Sequence, residues 1–165
     1  MRVGIIYLID RLSRKDSMTD ASIREFFNRY QRFFMEALAD NLDIDELSAL
    51  YTSDFIAASP AGVMTGKNDD TLKQAMINGY AHYRAIGTKN MQVRNIRLSR
   101  IDDQHAVAHV SWTAVYAKPS QPDISIDFEV HYFLQEIDNK PKVFGWVSGD
   151  EQALLRERGV VWLLA

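Results

Sequence analysis

The sequence predicts an α+β domain, a curved antiparallel sheet wrapped around three N-terminal helices. Three observations carry the prediction. Apolar residues recur at threes and fours as far as Gly87. Beyond it the apolar period changes to two, as in strands half-buried on a core. The segments of period two are joined by the short polar turns IDDQ, KPSQPD and DNKP, which favour antiparallel neighbours.

The first helix is announced by Ser22 and Glu25, spaced as a capping box, with Thr19 and Asp20 just upstream. Ile23, Phe26, Phe27, Tyr30, Phe33, Phe34, Ala37 and Leu38 then form one stripe, ending near Asp40. Asp43 and Glu46 repeat the start signal before a short helix carrying Leu47, Leu50 and Tyr51. A bare hairpin, DFIAASPAGVMTG, follows at residues 54–66, turning at Pro60–Gly62. Residues 68–70 cap a third helix with Leu72, Ala75, Met76, Tyr80, Tyr83 and Ile86 on one side, and Gly87 stops it. Residues 91–101, 105–117, 124–137 and 142–149 read as four strands of a meander. They exceed the usual length of five or six residues, so the sheet must coil, with bulges at its bends. Such a sheet, closed by helices, leaves a hollow.

Ordinary globular composition, 47% apolar and 25% charged, argues against disorder. A net charge of −3 offers no basic surface for nucleic acid. The absence of cysteine excludes disulfides and thiolate chemistry and is compatible with a cytoplasmic location. The apolar run at residues 3–9 is too short to span a bilayer, and Asp10 and Arg11 follow it at once, so neither export nor a membrane anchor is expected. Residues 1–18 read as an extension, 19–158 as the domain and 159–165 as an apolar tail.

RYQRFF in the first helix, LSALYTSDFIAASPAGVMTG, WTAVY, FEVHYFLQ and WVSGDE occur in an order that resembles nuclear transport factor 2-like (SnoaL-like) proteins, over residues 19–158. The resemblance implies a cone-shaped, cystatin-like fold, a homodimer formed through the convex sheet face, and an apolar cavity. The family includes ketosteroid isomerase, scytalone dehydratase, polyketide cyclases and limonene epoxide hydrolase, so fold alone does not give function. Set against the isomerase's Asp-Pro-Val-Gly, the Ser59-Pro60-Ala61-Gly62 turn places Ser59 where the proton-shuttling aspartate stands. The isomerase's protonated aspartate falls near Val130, and its tyrosine on Tyr30. Both acids are missing, which argues against double-bond isomerisation by that machinery.

Three residues remain as catalytic candidates: His131, Asp150 and Tyr30. His131 lies mid-strand with Glu129 on the same face, where it can serve as a base or simply as a cross-strand polar partner. Asp150 follows Trp146 and Ser148 at even spacing, but also opens a short C-terminal turn where acids favour a helix start. For the cavity wall the candidates are Phe34, Tyr51, Phe55, Ser59, Met64, Trp112, Tyr116, Phe128, Trp146 and Ser148; large aromatics can equally be core. No metal or cofactor is expected. His105 and His109, four apart on a strand, stand about 13 Å from one another. The expected function is binding of a small apolar or aromatic molecule. The alternatives are an acid/base enzyme of the cyclase, isomerase, dehydratase or epoxide-hydrolase kind, and a dimeric protein-association module.

Overall fold

A computed structural model describes residues 18–161. The first helix, α1 (Asp20–Leu38), starts one turn earlier than the Ser22 box implies. Its N-cap is Thr19, whose hydroxyl accepts the Ser22 amide proton at 3.1 Å. Asp43 caps α2 (Ile44–Ser48), and Asp69 caps α3 (Asp70–Ala85), each through its carboxylate on two backbone amides. Gly87 ends α3 with φ +84; a Cβ there would stand 2.7 Å from the Ala117 carbonyl oxygen, so glycine is required.

The strands are β1 (Tyr51–Ser59), β2 (Gly62–Lys67), β3 (Thr88–Arg100), β4 (His105–Lys118), β5 (Gln121–Ile137) and β6 (Lys140–Ser148), followed by a short helix α4 (Glu151–Glu157). They form one six-stranded sheet in the order β2-β1-β6-β5-β4-β3. The meander is antiparallel throughout, as its turns imply. The hairpin β1–β2 joins the same sheet, with β1 parallel to β6. That parallel pair departs from the all-antiparallel expectation. It links segments far apart in sequence, where no local turn can signal the pairing.

Register shifts interrupt the ladders near Val93, Tyr116 and Phe133 and let the long strands coil. At the Val93 shift, the Val93 amide donates to Gln31 Oε1 of α1 at 2.7 Å, which fastens helix to sheet. Burial along β4 alternates without a break: Ala106, Ala108, Val110, Trp112, Ala114 and Tyr116 are buried, and the residues between them half-buried. The buried face packs on Ile23, Phe26, Phe27 and Phe34 of α1. Arg84 of α3 donates to the Ala37 carbonyl at 2.6 Å and pairs with Asp40, closing the C-terminal end of α1. Val160 and Val161 of the apolar tail pack against the same core. The N-terminal run at residues 3–9 and the end of the tail lie outside the described residues. Among those described, no helix is long and apolar enough to cross a membrane.

Candidate functional site

The coiled sheet and the helices enclose a cavity of about 640 Å³. Its floor comes from the inward positions of the meander, because alternation sends Trp112, Ile126, Phe128, Val130, Tyr132 and Trp146 to one side. Tyr30 and Phe34 of α1 and Tyr83 of α3 supply the helical wall. Leu154 and Leu155 of α4 cover part of the mouth, held there by the Asp150 N-cap on the Ala153 amide at 2.8 Å.

The walls are aromatic and the polar groups few. Tyr30 and Tyr51 share a hydrogen bond between hydroxyls, 3.0 Å apart. Their rings are wedged among Trp112, Tyr132 and Trp146 at centroid distances of 5.8–5.9 Å. Trp112 is 1% exposed, and its Nε1–H has no hydrogen-bond partner. The indole N–H lies beside the Tyr132 hydroxyl and lowers that phenol somewhat against the burial that raises it. Burial raises the Tyr30 phenol and pushes Tyr51 and Tyr132 well above the ordinary tyrosine value, so all three stay protonated at neutral pH. At the mouth, burial also raises Tyr83, and the Glu151 carboxylate that accepts its hydroxyl proton at 2.7 Å adds to the shift. Asp150, Glu151 and Glu157 line the mouth, Asp127 and Glu129 of β5 also border the cavity, and no Lys, Arg or His is among the described lining residues.

Of the residues singled out from the sequence, Tyr30, Phe34, Tyr51, Trp112, Tyr116, Phe128, Trp146, Ser148 and Asp150 line this cavity. Four do not. Ser59 sits at the tip of the β1–β2 hairpin, its Oγ accepting the Ala61 amide proton at 3.2 Å. Met64 is 62% exposed on the edge strand β2. The hairpin therefore contributes no wall to this cavity. Its small residues let the chain turn, and Gly66 leaves room for the Phe55 ring. Phe55 is buried behind the wall, stacked on Trp146 at 5.2 Å.

His131 points to the opposite side of the sheet from the cavity. There its Nδ1 is 2.7 Å from Nδ1 of His109, its direct partner across β4–β5, and its Nε2 is 3.6 Å from Glu129. Desolvation, with Arg97 and His131 beside it, holds the His109 imidazole below the usual histidine value. Asp127 is engaged elsewhere, by Thr113 at 2.6 Å and Arg94 at 3.2 Å. The expected catalytic group of His131, Asp150 and Tyr30 is thus not assembled at one place. Tyr132 and Tyr83 are cavity residues not singled out from the sequence. The signal was present for Tyr132, which shares its strand face with Phe128 and Val130.

The chain belongs to the NTF2-like proteins: the family model described as NTF2-like protein (DUF6841) matches residues 19–151. No curated protein shows significant similarity to it. Among solved structures it is similar to an NTF2-like protein with a cystatin-like fold from Novosphingobium aromaticivorans, at 16% identity and TM-score 0.62, covering 96% of this chain and 98% of that one. It is also similar to Aln2 from a Streptomyces species, at 14% identity and TM-score 0.59, covering 83% and 94% of the two chains. A protein provisionally described as a scytalone dehydratase, also from Novosphingobium aromaticivorans, matches at 16% identity and TM-score 0.57, with 77% and 80% covered. At these identities the likeness is one of fold.

Proposed function

We propose that the cavity binds a small apolar or aromatic molecule carrying one oxygen acceptor, such as a ketone or phenol. The observation that supports this best is the aromatic cavity itself, walled by Tyr30, Tyr51, Trp112, Tyr132 and Trp146. Its 640 Å³ lies within the range usual for small-molecule sites. The hydroxyls of the Tyr30–Tyr51 pair, both residues in the cavity lining, offer the neutral donor for that oxygen. The carboxylates at the mouth disfavour an anionic ligand.

Intrinsic tryptophan fluorescence, titrated with one- and two-ring aromatic ketones and phenols and with the matching carboxylic acids, tests this directly. The neutral compounds quench and the acids do not. Tyr51→Phe weakens the tightest of them about tenfold, the worth of one hydrogen bond. If no neutral compound binds below millimolar concentration and native mass spectrometry finds no copurifying molecule, the proposal fails.

The same reading takes the chain to work as a homodimer through the outer face of the sheet. That face carries half-buried apolar groups, including the Phe133 and Phe144 rings 5.8 Å apart. Sedimentation at micromolar concentration should give twice the mass of 18.9 kDa. A stable monomer there removes the dimer from the proposal. Catalysis would require a proton acceptor inside the cavity, and of the acids in its lining Asp127, Glu129, Asp150 and Glu151 each already hold a partner.

A further inference from the structure

The outer face of the sheet, proposed above as the dimer contact, carries a second constellation whose two histidines are not among the residues that line the cavity. His109 and His131 are direct partners on two interior strands, β4 and β5. Glu129, two residues before His131, stands on the same face. One nitrogen of each ring and one Glu129 oxygen all lie within 4.8 Å of one another. We propose that His109, His131 and Glu129 form a binding site for a divalent transition-metal ion of the zinc class.

The donor set suits such an ion: two imidazoles and one carboxylate, with a further coordination position left for water. The two Nδ1 atoms, 2.7 Å apart, are held together by a single proton between them. Two zinc–nitrogen bonds of about 2.05 Å at a tetrahedral angle separate the nitrogens by about 3.3 Å. The rings need only part by roughly 0.6 Å for the ion to take the proton's place, that proton moving by way of water to Nε2 of its own ring so that both imidazoles bind neutral. Glu129 is half-exposed and can swing to its position.

A supporting layer is also present. Ser99 Oγ lies 2.9 Å from His109 Nε2, which fixes the ring with Nδ1 toward His131. Ser111 Oγ donates to Glu129 Oε2 at 3.2 Å. Arg97, the cross-strand partner of His109 on β3, opposes added positive charge, and only one carboxylate offsets it. Binding is therefore weaker than at a buried structural zinc site.

Titrating the full chain with zinc chloride by calorimetry should show one ion per chain. In the unaltered protein, zinc should shift the imidazole NMR signals of His109 and His131 while leaving His82 and His105 in place, which requires no variant to fold. His109→Ala and His131→Ala should each weaken binding more than a hundredfold. Ser99→Ala should weaken it about tenfold. No heat and no shift at millimolar zinc would overturn the proposal. So would shifts confined to His105, which has its own carboxylate neighbour in Asp102, or unchanged binding in the double histidine variant.

Discussion

Phe27→Ala should lower the stability by about 4 kcal/mol, near the upper end for a buried aromatic cut back to a methyl. Phe27 is fully buried, and three rings close on it: Phe26 at 5.1 Å, Tyr132 at 5.0 Å and Tyr30 at 6.3 Å. It is the point where α1 presses on the inner face of the sheet. The void left by the missing ring cannot collapse easily, because Tyr132 is fixed on a strand paired on both sides, to β4 and to β6. It would instead extend the existing cavity, so the lost transfer energy and the cavity term add. For a domain of this length the melting temperature should fall by about 12 °C. Urea unfolding with an unchanged slope checks the free energy, and Met64→Ala, on the exposed edge strand, gives the reference with almost no change. A loss below about 1 kcal/mol in Phe27→Ala would mean that α1 does not seat on the sheet through this ring.

Much of this architecture is legible in the sequence because it is local. The stripe from Ile23 to Leu38, the acid at position 69, Gly87 and the alternation in SIDFEVHYFLQ each report on their own neighbourhood. The cavity floor follows from alternation too, since Phe128 and Trp112 share a face with the core, and Tyr132 was available by the same rule. What could not be read depends on register between distant segments. His131 meets His109 because the turn at residues 119–120 sets β4 against β5 in one register. A slip of one residue would send one of the two rings to the cavity side. No spacing within either strand announces their pairing. The hairpin was misplaced for a similar reason. Its small residues are equally compatible with a cavity wall and with an edge, and the parallel bond to β6 decides between them. Ser59 and Met64 went to the edge with it.

Raising the pH above 10 should unfold the protein over a narrow range. Among the seven tyrosines, Tyr30, Tyr51, Tyr80 and Tyr132 are all raised chiefly by burial, as is Tyr83, and Tyr116 is raised to about 12. In an unfolded chain a tyrosine ionises near pH 10. Above that value the unfolded state has lost protons that the folded state retains, so stability falls as pH rises. The contribution of these burials is fully present below pH 10 and is lost on the way up to the folded values. Each phenol that stays protonated in the fold contributes about 1.4 kcal/mol per pH unit to the decline. The four in the Tyr30 cluster together give a slope of about 5 kcal/mol per unit. A stability of the usual 5–15 kcal/mol is exhausted within one to three units. Tyrosinate absorbance and far-ultraviolet circular dichroism, followed together, should therefore change in one step above pH 10. Tyr80→Phe should make that step shallower, because one ionising group has been removed while the ring packing on Phe34 at 5.1 Å is kept. If instead most of the absorbance change came at pH 10 with the dichroism intact, the phenols would be in contact with water, and the enclosed aromatic cavity would not exist as described.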